Sequence, residues 1–316
     1  MNSVAPTVRS SEPLAPPTRI DAAFADPDGV LDLIHRGAPY KTIAAVHRDP
    51  GRATSSAWFR NFWALGGKVT FPGAETYFRN PIFIEAAQTA FGARVIRPLA
   101  MMTNLNPPAP ASEPHLDLPF FRGAHSREVP SWLLAPMGYS GLFHAWAIPV
   151  ASAITWFYAG EGGAFEYWPN GLDAPSCSVR TPYSNCAVLA DNEYMYHRVG
   201  QIGRPGEFLP GNAVEYDARL HLVERRWEIR SAERLVAAYD TAQVRLSVLW
   251  KAFCFRDESE EQAWQAHTDD LTPQRIVEIF GKDLRRRGLL ADPPSDLMRD
   301  DSWRDRILAT YRGATH

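Results

Sequence analysis

The sequence predicts a mainly β protein, a sandwich or barrel core of short strands with helices added before and after it. Three observations predict this. From residue 95 to residue 255, runs rich in β-branched and aromatic residues alternate with Gly, Asn and Asp turn signals. Outside those limits the pattern changes to capped, amphipathic segments of helical period. At 316 residues the chain is long enough to bury a sizeable core as one large domain.

In chain order, residues 1–19 hold Pro6, Pro13, Pro16 and Pro17 with no apolar signal-peptide centre, and are expected to be a disordered lead. Residues 20–316 are then a single domain. Segments 28–36 and 81–91 read as helices, opened by Asp and by Asn80-Pro81 at the N-cap. The core spans about 80–255, beginning with the apolar run 95–105. Residues 153–158 form a strand, Gly160-Glu161-Gly162-Gly163 a tight turn, and 164–168 the returning strand, closed by Asn170-Gly171. Strands 186–190 and 194–199 follow around a turn at Asp191-Asn192, and 243–250 is the last core strand. Between them, 200–240 reads as an insertion or extra hairpin, with strand-like pieces at 226–230 and 235–239. From 258 to 316 the composition turns charged, and 260–267, 273–287 and 302–310 read as amphipathic helices. Arg285-Arg286-Arg287 is expected to be a solvated helix C-terminus, favoured by the macrodipole.

Residues 129–160 contain no Asp, Glu, Lys or Arg, a length sufficient for a bilayer. Pro130, Pro136, Pro149 and His144 break the run, so no membrane partner is expected. The expectation is an apolar lid or wall over 120–146, whose prolines and glycines resist a continuous helix. A net charge of −3 and a pI near 6.3 give no footprint for nucleic acid. Three cysteines at positions 177, 186 and 254 show neither zinc spacing nor a disulfide framework, which suggests a reducing, cytoplasmic setting. A monomer or homodimer is expected.

Three His-x-Asp dyads occur. His47-Arg48-Asp49 runs into the turn signal Pro50-Gly51. His267-Thr268-Asp269 lies in a helix-like stretch, where i and i+2 diverge by about 200°. His115-Leu116-Asp117 follows an apolar strand, and i and i+2 of an extended chain share a face. With His197 from a later strand, the three can meet as two imidazoles and one carboxylate. That facial set suits a non-haem Fe(II) ion with open positions opposite. On the last strand Arg245 and Ser247 share one face, a fork and a hydroxyl suited to a carboxylate.

This order, His115-x-Asp117, Gly162-Gly163 before a strand, His197, then Arg245-x-Ser247, resembles the Fe(II)/2-oxoglutarate-dependent dioxygenase superfamily over roughly residues 80–255. No subfamily is assigned. The resemblance implies a double-stranded β-helix (jelly-roll) core, iron on His115, Asp117 and His197, and 2-oxoglutarate anchored by Arg245 and Ser247. It also implies oxidative decarboxylation to succinate and CO2, coupled to oxidation of a substrate C–H bond. Asp117 as third ligand implies hydroxylase-type chemistry rather than halogenation, which in the family uses a small residue there. The sequence departs from the family in one spacing, since the arginine stands 245 − 197 = 48 positions after the second histidine. Arg198, Arg204 and Arg219 are therefore rival anchors. Phe120, Phe121, Arg122, Trp132, Phe143, Trp146 and Met137 are the candidate substrate wall, for a hydrophobic small molecule. Two other readings stay open: a cupin-like metal enzyme that does not use oxoglutarate, and a non-catalytic β-sandwich binding module.

Overall fold

The computed structural model describes residues 15–48, 57–124, 129–210, 213–289, 293–294, 296–297 and 299–311. Residues 1–14 of the expected lead, and Asp49 of the first dyad, lie outside them. At the end of the expected lead, Thr18–Ile20 pairs with Tyr183–Ala190 as an antiparallel edge strand.

The core is two facing antiparallel sheets. In the larger one, Tyr183–Ala190, Val150–Tyr158, Arg245–Phe255 and Val95–Asn106 lie side by side in that order. The smaller sheet places Cys177–Val179, Phe165–Trp168 and Tyr196–Val199 in sequence. It is continued by paired backbone at His115↔His197 and Ala109↔Ile202. From residue 95 onward the chain visits the large sheet, the small, the large, the small twice, the large, the small and finally the large. That is the jelly-roll path, and it brings positions far apart in sequence into one interior.

The large sheet is buried on both faces, so its strands are nearly continuous in apolar residues rather than alternating. Its outer side carries Met101, Leu105, Leu246, Val248, Trp250, Ala153 and Leu189, packed against Phe83 and Ala87 of the helix Pro81–Phe91 and Leu33 of the helix Pro27–Arg36. Both helices start as the sequence indicates. Asp26 accepts from the Gly29 amide at 2.9 Å and Asn80 from the Ile82 amide at 3.0 Å, each followed by proline at the first helical position. The inner side, one residue out of phase with the apolar set, presents Arg245, Ser247, Leu249 and Lys251 toward the small sheet.

The unusual spacing between His197 and Arg245 has a structural cause. Arg219–Val223, Arg226–Ser231 and Arg234–Asp240 form an antiparallel extension that joins the large sheet through Tyr40–Thr42 and Phe59–Leu65. The inserted residues lengthen the sheet sideways and leave the interior order unchanged.

Two expectations need refining. The described residues of 120–146 form no continuous helix or strand, yet they include one ten-residue helix. Ser131–Ser140 is an α-helix with Pro136 inside it and Gly141 in the left-handed conformation at its end. The basic run 285–287 is more than a solvated terminus. Asp283, buried, accepts from Arg287 Nε at 2.6 Å and from the Tyr311 hydroxyl at 2.8 Å, which ties the helix Pro273–Arg286 to Asp301–Thr310. Among the described residues no helix is long and apolar enough to cross a membrane.

Candidate metal centre

His115 and His197 exchange both backbone hydrogen bonds, each 3.0 Å, so they form one directly opposed pair with ring centroids 4.5 Å apart. Each imidazole is oriented from behind. Nδ1 of His115 lies 3.0 Å from the Glu113 carbonyl, and Nδ1 of His197 lies 3.1 Å from the Met195 carbonyl. A carbonyl can only accept, so Nδ1 carries the proton in both rings and both Nε2 lone pairs are left for a metal. Asp117 is fixed by its own amide, which donates to the Asn192 carbonyl at 2.9 Å. One ligand atom from each of His115, Asp117 and His197 falls within 4.8 Å of the other two. The neighbouring dyads make no such group among the described residues.

Burial and neighbouring charges keep Asp117 and His197 in ligand form. Burial alone would raise the Asp117 carboxyl, but Lys251 and then His197 outweigh it and hold the group well below the usual carboxylate range. Burial pushes His197 down to about 4, against the pull of Asp117, so the ring is neutral at physiological pH. Lys251 reaches Asp117 Oδ2 at 2.7 Å and Glu193 Oε1 at 2.7 Å. Burial opposes its charge, yet Asp117 and Glu193 together raise it. Two carboxylates share this one ammonium, and Glu193 is the one that gives way. Its carboxyl is pushed up to about 8, first by burial and then by Asp117, despite Lys251.

Arg245 lies in the same cavity, 2 % exposed. Its Nε donates to the Gly163 carbonyl at 2.8 Å, and its guanidinium carbon stands 5.8 Å from the Trp156 ring and 6.0 Å from Tyr183. Gly163 has φ +70°, and a Cβ there would lie 3.0 Å from Arg245 Cδ, which is why the turn needs glycine at this point. Burial lowers the guanidinium to about 10, and Nη2 has no hydrogen-bond partner. A buried, unpaired charged donor is costly unless a ligand completes it. Ser247 lines the same cavity, its Oγ donating to the Asn104 carbonyl at 3.4 Å. The rival arginines are engaged elsewhere. Arg198 pairs with Glu166 at 2.6 Å, Arg204 with Glu161 at 2.7 Å, and Arg219 donates to the Asp217 carbonyl at 2.6 Å.

The cavity holds about 90 Å3. Besides the predicted ligands it is lined by Trp58, Arg60, Asn104, Asn192, Trp156 and Leu249, none of them foreseen. Arg60 and Trp58 both donate to Asn104 Oδ1, at 2.7 and 3.1 Å. Of these, only Asn104 carries a signal in the sequence: it is a polar residue within a buried apolar strand.

None of the seven residues of the predicted substrate wall lines this cavity. Phe121 and Phe143, with Met137, belong to a second apolar cluster with Ile276, Phe280 and Leu284 of the C-terminal helices, and Trp132 and Trp146 pack against it. Arg122 pairs with Asp269 at 2.9 Å and Trp146 donates to the Asp269 carbonyl at 2.9 Å. Phe120, 38 % exposed, stands edge-on to Phe253 at 5.2 Å.

No protein-family model matches the chain, and no curated protein matches it. Solved structures do resemble it. A prolyl-4-hydroxylase of Pseudomonas putida is 14% identical, with 76% of this chain and 93% of that one covered at a TM-score of 0.41. A 2OG-Fe(II) oxygenase family oxidoreductase of Burkholderia pseudomallei is 13% identical, covering 76% and 86% at 0.43. HygX of Streptomyces hygroscopicus, solved with nickel, 2-oxoglutarate and hygromycin B bound, is 12% identical, covering 76% and 84% at 0.40. Superpositions of this quality leave the function to the side chains of this chain.

Proposed function

We propose that the protein is a non-haem Fe(II)- and 2-oxoglutarate-dependent oxygenase of hydroxylase type that oxidises an unactivated C–H bond of a hydrophobic small molecule. One observation carries the reading. Two imidazole Nε2 atoms and a carboxylate converge in the same cavity as a buried guanidinium with an unpaired donor. The donor set fits a ferrous ion, and the unpaired Nη2 fits the distal carboxylate of oxoglutarate. When bound, the pair supplies O2 activation coupled to oxidative decarboxylation of oxoglutarate to succinate and CO2.

The chain's own residues have separable tasks. His115, Asp117 and His197 would hold the ion. Arg245 orients the co-substrate through its distal carboxylate, and Ser247 offers a hydroxyl beside it. Trp156, Phe165, Ile154 and Leu249 line the same cavity and keep water from the reacting atoms, and they also favour an apolar substrate.

The test is metal binding followed through a ligand variant. Protein purified without air should bind one equivalent of Mn(II), a redox-quiet stand-in, and His197→Ala should lose it. Equal binding by His197→Ala would refute the site. Binding of Mn(II) without any affinity for oxoglutarate would favour the cupin-like reading, and no binding at all the non-catalytic one.

A further inference from the structure

Asp117 is gripped from two directions, and its two oxygens have different neighbours. Oδ1 lies 4.0 Å from His197 Nε2, on the side where the imidazoles converge. Oδ2 lies 2.7 Å from Lys251 Nζ. Lys251 is itself held, with Glu193 Oε1 at 2.7 Å. It projects from the strand Arg245–Phe255 at the same parity as Arg245, Ser247 and Leu249, so it stands on the inner face of the jelly roll. Lys251 and Glu193 are shielded, 9 % and 3 % exposed, while 26 % of the Asp117 side chain is exposed. Glu193 adjoins Asn192, whose carbonyl accepts the Asp117 amide. One short turn thus fixes Asp117 twice, through its backbone and, by way of Lys251, through its side chain.

We propose that Lys251, held by Glu193, is a positioning residue that reserves Asp117 Oδ2 and presents Oδ1 alone to the metal. The inference rests on the metal-site reading above and adds to it how many positions the carboxylate occupies. A free carboxylate can bind a divalent ion through one oxygen or both, and the second mode would occupy a position that a bidentate co-substrate and O2 require. An ammonium hydrogen-bonded to Oδ2 removes that mode. A buried ion pair is weak evidence of stabilisation in itself, since apolar replacements are often as stable. Its place on the outer oxygen of a ligand gives it a function that packing alone would not require. Residues that orient a metal's ligands from behind typically change affinity by about 10–100-fold when removed.

The test is the double variant Lys251→Met/Glu193→Gln, which removes both ends of the pair together and leaves neither buried alone. Mn(II) affinity is read by calorimetry, and the Co(II)-loaded protein by its visible absorption, both without oxoglutarate. Mn(II) binding should weaken by about 10–100-fold, and the Co(II) bands should shift as Asp117 takes up its second mode. An affinity within twofold of wild type with an unchanged Co(II) spectrum would overturn the role of Lys251. Failure of wild type itself to bind Mn(II), or equal binding by His197→Ala, would instead overturn the metal-site reading. A crystal structure of wild-type protein with Mn(II) decides the matter even if the double variant does not fold. It should have Oδ1 on the metal and Lys251 on Oδ2, and a two-oxygen Asp117 or a displaced Lys251 would refute the proposal.

Discussion

Replacing Arg245 with methionine separates binding from folding more cleanly than any other change at this site. The guanidinium is buried, with one donor on Gly163 and another unpaired, so its charge is carried by the fold at a cost. Burial takes it from 12.5 to about 10, and at 1.36 kcal/mol per pKa unit that cost is about 3 kcal/mol. Against this, methionine forfeits a charge-assisted hydrogen bond of about 1.5–3 kcal/mol. The two nearly cancel, so ligand-free Arg245→Met should unfold within about 1 kcal/mol of wild type. Binding should behave differently. Losing a shielded charge pair with a carboxylate costs about 2–5 kcal/mol, which is roughly thirtyfold to several thousandfold in Kd. Oxoglutarate can be titrated into Mn(II)-loaded protein without air. Trp156 fluorescence can report it, since that ring lies 5.8 Å from the guanidinium. Affinity within threefold of wild type, with stability preserved, would refute the assignment of Arg245.

Two further predictions address the surroundings. His197 has its pKa depressed in the fold, to about 4 from 6.5, so its neutral form contributes stability fully above pH 6.5 and loses it as pH falls toward 4. Between pH 7 and 4.5, metal-free wild type should lose about 2–3 kcal/mol relative to His197→Asn. Parallel urea-unfolding profiles for the two proteins would contradict this. Phe143 is fully buried, 4.8 Å from the Phe280 ring centroid. Phe143→Ala should therefore destabilise by about 3–5 kcal/mol while leaving oxoglutarate affinity near wild type at a temperature where the variant is folded. Preserved stability would return residues 120–146 to the role of a lid.

The convergence of His115, Asp117 and His197 was legible because it depends on local geometry. His115 and Asp117 share a face by strand parity, and the turn signals around 160, 171 and 191 divide the sequence into the strands that bring His197 opposite. The helix starts at Asp26 and Asn80 were equally local. What failed is what depends on a partner elsewhere. An uncharged aromatic stretch looks the same whether it borders a cavity or packs on other helices. The apolar stripes of the C-terminal helices, Ile276, Phe280, Leu284 and Ile307, claimed Phe121, Phe143 and Trp132. Trp58 and Arg60 reach the cavity through sheet pairing of Phe59–Leu65 with Val95–Asn106, which no short-range pattern reveals. Lys251 could have been found. A lysine six residues after Arg245 in an eleven-residue buried strand has the parity of the site, and a charge at that depth calls for partners.

The measurement that bears most directly on the central claim is succinate release. Protein purified without air is given Fe(II), 2-oxoglutarate and O2, and succinate is quantified beside reactions lacking each component in turn. Wild type should form succinate only when all three are present, slowly in the absence of the prime substrate, while His115→Ala, His197→Ala and Arg245→Met form none above background. Succinate formed equally by the ligand variants, or none from a wild-type protein shown to bind both Fe(II) and oxoglutarate, would contradict it.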